Sequence, residues 1–224
     1  MRSSTARASR AAPASVDRAR LARAERRDAL LDVAAQMVAA GEVEAVSMEL
    51  VAERAGVSRA LVYKHFANRH DLLSTLYERE SAHLHARLSA DVQAADTLSE
   101  MLRALVRGAL AAQASRGATL TALRSNGGRG GAQRDLQRRR DRQTLRYFTR
   151  RAVEEFRLDE RSATAGLGIA LGAIPTVLAQ WRSRPTPEHA SELEDAYVFM
   201  VMGGLRELSI ASRDGRSVAM LQER

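Results

Sequence analysis

The sequence has no cysteine, few aromatic residues and almost no lysine. The absence of cysteine excludes disulfide bonds, thiolate metal sites and a cysteine nucleophile. Phe, Trp and Tyr make up only 4% of the chain, which is too few for the aromatic platforms on which proteins stack single-stranded bases. Lys64 is the single lysine, and the other basic residues are arginines. These absences argue against thiol redox chemistry and against single-strand binding.

The sequence does contain an excess of positive charge. Its 224 residues carry a formal net charge of +8 at pH 7, and its pI is near 10.9. Hydrophobic residues at 45% and charged residues at 28% are typical of a globular chain. A basic globular protein suits a polyanionic partner, and double-stranded DNA is the expected one because aromatic residues are scarce.

The first 27 residues hold eight arginines, two acidic residues and almost no large apolar side chain. The apolar core of a secretory signal does not follow Arg26 and Arg27. Residues 1–23 are therefore predicted to be a disordered basic arm, which either reaches the minor groove of DNA or remains a solvated tail. We expect a cytoplasmic protein.

One stretch, residues 162–181, has no charged residue and includes Gly168 and Gly172. Its apolar residues are diluted by polar ones and by Pro175. This composition favours a buried interface helix over a membrane span. Pro175 is expected to kink that helix.

Apolar residues recur at helical spacing along most of the chain, and no segment alternates with the period of two that a strand requires. The sequence therefore predicts an all-α protein. Two short helices follow Ser47 and Ser58, and longer ones are predicted at about 24–40, 69–89, 97–113, 132–157, 160–183 and 187–212.

Residues 47–69 form the most informative motif. Two short helices joined by a glycine-containing turn, the second opening with Ser58 and Arg59, predict a helix-turn-helix with a basic recognition face. The turn Ala-Gly-Val-Ser at 55–58, the Tyr-x-His-Phe sequence at 63–66 and the basic Arg69 resemble the DNA-binding domain of the TetR family of bacterial transcriptional regulators. The resemblance covers roughly residues 24–75, and Ala60 and Leu61 depart from its common pattern.

The resemblance implies a homodimer with an N-terminal three-helix DNA-binding domain, residues 24–70, and a C-terminal effector-binding and dimerisation domain, residues 71–224. By position in the motif, it implies phosphate contacts from Ser47, Tyr63, His65 and Arg69, and base contacts from Arg59, Leu61 and Lys64. Ser58 joins this set at the start of the recognition helix. Arginine suits guanine edges, leucine a thymine methyl group, and a tyrosine hydroxyl a phosphate oxygen.

The C-terminal domain offers weaker signals. Apolar faces and possible polar anchors suggest effector-pocket candidates, which are Leu102, Leu105, Leu123, Tyr147, Phe148, Thr176, Gln180 and Trp181. Close backbone approach at glycines and an apolar stripe on the last helix suggest dimer-interface candidates, which are Gly168, Gly172, Tyr197, Val201, Leu205 and Leu208. Residues 124–151 hold ten arginines and two acidic residues, which form either a solvated face or a surface that attracts an anionic effector.

The five histidines are scattered along the chain, and no residue pattern assembles a nucleophile with its base. We therefore expect no catalysis, metal site or cofactor. The expected function is a ligand-responsive repressor that a small-molecule effector releases from a pseudo-palindromic operator. The alternative is an effector-independent architectural or activating DNA-binding protein.

Overall fold

A computed structural model describes residues 13–127 and 131–213, and in these ranges the chain is helical with no strand. The all-α prediction is confirmed. The elements are α1 (Pro13–Ala39), a 3₁₀ turn (Val43–Ala45), α2 (Met48–Arg54), α3 (Arg59–His65), α4 (Arg69–Gln93), α5 (Leu98–Gly127), α6 (Gly131–Phe156), α7 (Glu160–Gly172), α8 (Ile174–Ser183) and α9 (Pro187–Arg213).

The chain divides into two compact units. The first comprises Met1–Tyr77 with Ala122–Gly128, and the second comprises Glu78–Thr121 with Arg129–Arg224. Each unit has its own cluster of buried apolar side chains. The first cluster contains Met37, Val51, Val62, Phe66 and Leu76, together with Leu123 from the far end of α5.

Local sequence signals set the helix ends in the first unit. At the end of α1 the Gly41 N–H donates to Val38 O and the Glu42 N–H donates to Met37 O, which is a Schellman motif with glycine at φ +83°. Helix α4 begins with reciprocal bonds in which Asn68 Oδ1 accepts from the Asp71 N–H and an Asp71 oxygen accepts from the Ala67 N–H. Because these signals are local, the sequence located both boundaries well.

A charged cluster joins α5 to α9 in the second unit. The buried carboxylate of Glu194 accepts two hydrogen bonds from Arg107, at 2.7 and 3.1 Å, and one from Arg103 at 2.9 Å. Burial opposes ionisation of this carboxyl, but the two guanidinium groups outweigh it and lower its pKa. The ion cluster thus stabilises the packing of α9 on α5 while Glu194 is ionised.

Three helix boundaries differ from the prediction. Helix α1 begins at Pro13, so residues 13–23, predicted to be disordered, are helical, while residues 1–12 of the predicted arm lie outside the described residues. Helix α5 continues to Gly127 rather than ending near 113. The helix predicted at 160–183 is two helices that meet at Ala173, because Pro175 in the first turn of α8 has no N–H to donate to the preceding turn.

Residues 160–183 have a mean hydropathy of 1.6 and, by length and composition alone, are apolar enough to cross a membrane. Only 17% of this stretch is buried within the protein. A single stretch of this kind is weak evidence for a span, since core helices of other proteins and signal sequences have a similar length and composition.

Candidate nucleic-acid interface and dimerisation surface

Helices α2 and α3 are joined by a tight turn at Gly56. The Gly56 N–H donates to Glu53 O and the Val57 N–H donates to Ala52 O, which again is a Schellman motif, with Gly56 at φ +65°. Ser58 then begins α3, and its hydroxyl oxygen accepts from the Leu61 N–H at 3.3 Å. This arrangement is a helix-turn-helix, with α3 in the position of the recognition helix.

Helix α3 has one side in the core and one side in solvent. Val62 of α3 and Phe66, the residue that follows α3, are fully buried in the first cluster. Arg59, Tyr63 and Lys64 are exposed, and Leu61 is half-buried. The exposed side therefore presents a guanidinium, a phenol and an ammonium group, which are hydrogen-bond donors suited to phosphate oxygens and guanine edges.

The two serines of the predicted interface are N-caps. The Ser47 hydroxyl oxygen accepts from the Leu50 N–H at 3.1 Å, as Ser58 does for α3. Each hydroxyl hydrogen remains a donor, because the cap bonds use only the oxygen lone pairs. Arg59 contacts Glu49 of α2 across an exposed ion pair, which orients the guanidinium at the start of α3.

Arg69, the expected phosphate contact, is held by hydrogen bonds within the first unit. Its Nε donates to Val46 O at 2.7 Å, its Nη2 donates to Val43 O at 2.8 Å, and Glu44 lies 3.7 Å from the same nitrogen. The guanidinium thus ties the start of α4 to the 3₁₀ turn. The motif contains a basic residue at this position, and the geometry of Arg69 is that of a structural clamp.

His65 lies at the end of α3 among cations. Its Nδ1 is buried and has no hydrogen-bond partner among the described residues. Burial of the imidazole, together with the charges of Arg23, Arg26 and nearby basic residues, lowers the pKa of His65. The ring is therefore neutral near pH 7, and the cations around it form a positive region suited to phosphate.

The effector-pocket candidates do not line one cavity. Leu102 and Phe148 are fully buried in the second cluster, with Leu105 and Trp181 packed against it. Leu123 belongs to the core of the first unit, so its assignment to the pocket is wrong. Thr176 and Gln180 are exposed on α8, whose partly buried residues include Val177 and Trp181.

Tyr147 lines a cleft in the surface of the second unit. This cavity is an open cleft of about 540 Å³ formed by Gln93, Ala95, Asp96, Tyr147, Arg150, Arg151 and Glu154. The Arg150 guanidinium lies 5.5 Å from the centre of the Tyr147 ring. Sequence periodicity missed these polar residues because it selects apolar faces, whereas the cleft is lined mainly by polar and charged groups.

Two dimer-interface candidates are buried inside the protomer. Tyr197 donates its hydroxyl hydrogen to Ala170 O at 3.0 Å, and burial raises the pKa of Tyr197 to about 12. Leu205 is buried in the second cluster, and Val201 and Leu208 pack against that cluster. These residues join α9 to α7 of the same chain, so the assignment of Tyr197 and Leu205 to a free dimer surface is wrong.

Three apolar side chains of α7 and α9 are exposed in the protomer. Ile169, Phe199 and Met200 are 78%, 80% and 77% exposed. Gly168 and Gly172 are also exposed, and a Cβ added at either would meet nothing within 4 Å. We call Ile169, Phe199, Met200, Gly168 and Gly172 the α7–α9 apolar face. The apolar stripe was visible in the sequence, but its division between core and surface was not.

Among the described residues, no group of three or more histidine, aspartate or glutamate side chains is arranged to hold a metal ion.

Residues 30–76 match the family model described as bacterial regulatory proteins, tetR family. No curated protein matches the sequence. Among solved structures, the chain resembles a transcriptional regulator from Pseudomonas aeruginosa PAO1, with 16% identity over 82% of this chain and 94% of that one and a TM-score of 0.64.

The fold also matches a FadR regulator from Bacillus subtilis solved in complex with stearoyl-CoA, with 16% identity, 79% and 97% coverage of the two chains and a TM-score of 0.57. The ketosteroid regulator KstR2 of Mycobacterium tuberculosis is 23% identical, with 80% and 94% coverage and a TM-score of 0.50. These likenesses show a shared fold, and the match at residues 30–76 covers α2, the glycine turn and α3. The helix-turn-helix region thus matches the tetR family of bacterial regulatory proteins, and the chain shares its fold with solved transcriptional regulators.

Proposed function

We propose that this regulator is a homodimeric repressor that a small-molecule effector releases from a pseudo-palindromic operator. The observation that carries the proposal is the exposed side of α3, where Arg59, Tyr63 and Lys64 project from a helix fixed by its cap and its core side. The first unit, in place of the expected residues 24–70, is the proposed DNA-binding domain, and the second unit, in place of residues 71–224, is the proposed effector-binding and dimerisation domain.

Two recognition helices in successive major grooves would read two half-sites, and the symmetry of the protein would require a symmetric operator. Arg59, Lys64 and Leu61 face base edges, while Tyr63, His65 and the cap hydroxyls of Ser47 and Ser58 face phosphates. Arg69 is left out of the contact set, since its guanidinium is bonded to backbone carbonyl groups.

The α7–α9 apolar face is the proposed dimer interface. A large apolar group exposed to water on this scale is unfavourable, and burying Phe199 or Met200 against a second copy contributes about 1.5–3 kcal/mol per side chain. Glycine weakens a helix interior by about 0.5–1 kcal/mol relative to alanine. Nothing in the protomer requires glycine at 168 or 172, whereas a closely packed partner helix would.

The effector is proposed to bind in the second unit and to favour a dimer with a different spacing of the recognition helices. Helix α4 is the proposed transmitter, since residues 69–93 are continuous helix. An effector shifts this equilibrium only through its different affinities for the two states. Acyl thioesters are the first candidates, because a FadR regulator of similar fold was solved with stearoyl-CoA. The proposed site of action is the bacterial cytoplasm, and no enzymatic activity is proposed.

Fluorescence anisotropy on DNA from upstream of the regulator's own gene tests DNA recognition. The Tyr63→Ala/Lys64→Ala variant should lose tight binding, while Arg87→Ala, which removes the same single positive charge from an exposed site on α4, should retain it. Equal weak binding of all three proteins to this DNA and to a random duplex would contradict operator recognition by α3.

Release from the same DNA tests the effector. Stearoyl-CoA, free stearate and a neutral steroid are titrated into the complex, and the thioester is expected to lower anisotropy at micromolar concentration. A complex that no ligand dissociates would instead support the effector-independent regulator.

A further inference from the structure

Helix α6 carries a row of arginines that the helix-turn-helix does not account for. Arg139, Arg142, Arg146 and Arg150 follow one another at spacings of three or four residues, and all four are exposed. Residues at these spacings lie on one helix face, about 5–6 Å apart. At a rise of 1.5 Å per residue the row is about 16 Å long. We call these four residues the α6 arginine row.

Asp135 and Glu154 lie four residues from Arg139 and Arg150 along α6, but within the described ranges neither forms a salt bridge with the row. Asp141 accepts from Gln137 at 2.8 Å, Glu155 accepts from the Leu98 N–H at 2.8 Å, and Glu154 pairs with Arg151 at 3.5 Å. Among the side chains that the structure describes, none forms a salt bridge with a member of the row. Arg150 has a ring contact with Tyr147, which leaves its N–H groups able to donate.

Such a row is costly for the isolated protein. Like charges three or four residues apart on a helix destabilise it by a few tenths of a kcal/mol per pair. Their repulsion is relieved when each guanidinium meets an external anion, and arginine is well shaped to hold phosphate oxygens. The arrangement therefore fits a partner with several anionic groups in sequence.

The length of the row selects among anions. A small effector with one or two anionic groups would engage one or two guanidinium groups and leave the others unpaired. One strand of duplex DNA presents a phosphate about every 3.4 Å of helix axis, so about five phosphates fall within 16 Å. We propose that the α6 arginine row is a second DNA contact, which binds the phosphate backbone without regard to sequence.

This contact lies in the second unit and is separate from the α3 contact. It would add sequence-independent affinity, and it would make binding more sensitive to salt, because each neutralised phosphate releases counterions. The consequence can be measured on DNA that contains no operator, so the test does not depend on effector release or on the identity of the operator.

The test compares the full-length protein with Arg142→Ala/Arg146→Ala on a random-sequence duplex of 40 base pairs. The logarithm of the binding constant is measured against the logarithm of salt concentration by fluorescence anisotropy. Loss of two phosphate contacts should reduce the slope by about 1.8. Between 50 and 200 mM salt, the unmodified protein should therefore lose roughly twelvefold more affinity than the variant.

The matched control is Arg87→Ala/Arg161→Ala, which removes two exposed arginines outside α6 and gives the same formal charge, 8 − 2 = +6. Its slope should equal that of the unmodified protein within 0.3. Equal slopes for the row variant and the control would overturn the proposal. If the row variant binds poly-glutamate less well but keeps the DNA slope, the row serves an acidic protein partner, and that result also overturns it.

Circular dichroism checks that both variants are folded. Alanine favours helix at least as well as arginine, so α6 should be retained. If the alanine variant nevertheless unfolds, Arg142→Gln/Arg146→Gln replaces it and is expected to give the same reduction in slope.

Discussion

The position of Arg69 gives the sharpest test of the structure against the sequence motif. If the guanidinium clamps the 3₁₀ turn to α4, Arg69→Ala removes two hydrogen bonds from a charged donor and leaves the carbonyl groups of Val43 and Val46 without these partners. Hydrogen bonds of this kind contribute about 1–1.5 kcal/mol each when partly exposed. The ion pair with Glu44, a largely exposed residue, adds little. The free energy of unfolding of the first unit is therefore expected to fall by about 2–3 kcal/mol.

Hydrogen–deuterium exchange of the DNA-free protein measures this loss. Amides of α2 and α3 that exchange through unfolding of the first unit should exchange roughly 30- to 140-fold faster, since about 1.4 kcal/mol corresponds to a factor of ten. Trp181, the only tryptophan, belongs to the second unit. The urea unfolding transition that its fluorescence reports should therefore be nearly the same for Arg69→Ala as for the unmodified protein. Arg69→Lys should recover only part of the stability, because one ammonium group does not reproduce the two-pronged geometry.

The matched control is Arg59→Ala. Its ion pair with Glu49 is exposed, so its removal should change stability by less than about 1 kcal/mol, although DNA affinity falls. Arg69→Ala should instead lower stability strongly and change DNA affinity little. If Arg69→Ala lowers DNA affinity and leaves exchange unchanged, the residue is a phosphate contact and the clamp interpretation is refuted.

Three further outcomes are expected. Phe199→Glu should convert the dimer to a folded monomer in light scattering at micromolar concentration, and a persisting dimer would place the interface elsewhere. Glu194→Gln should lower the free energy of unfolding in urea by about 2 kcal/mol at pH 7. Because the folded-state pKa of Glu194 is lowered, this difference should be complete above pH 4.5 and should vanish as the pH falls further. A difference that does not depend on pH would contradict the ion cluster. Gly56→Ala should cost about 1–2 kcal/mol through its positive φ alone, since its new Cβ has open space; a cost near zero would contradict the left-handed turn.

The sequence predicted best what nearby residues determine. Ser47 and Ser58 as caps, and Gly41 and Gly56 as helix ends, act within a few residues, so the helix-turn-helix was located almost to the residue. Pro175 was expected to kink one helix, and the chain divides there into α7 and α8. The start of α1 was missed because residues 13–23 lack the apolar periodicity by which a helix is recognised.

Assignments that depend on distant neighbours were less accurate. Periodicity showed that Tyr197 and Leu205 belong to an apolar stripe, but not that α7 of the same chain covers them. The more exposed Phe199 and Met200 lie on the same helix, and only the packing of α7 separates the two sets. The intramolecular bonds of Arg69 could not be predicted for the same reason, since its carbonyl partners lie more than 20 residues earlier.

The position of Leu123 determines which fragments of this protein can be used in chimeric regulators. This side chain is fully buried in the core built by α1–α4, although it is separated from Tyr77 by 45 residues. A fragment that stops at Tyr77 would keep every DNA-reading residue and yet lack one leucine of its own interior. Leaving such a space in a core costs about 2–5 kcal/mol. The DNA-binding unit therefore cannot be transferred to another protein as the fragment that ends at Tyr77. Chimeric regulators made from it need to include the C-terminal end of α5 as well.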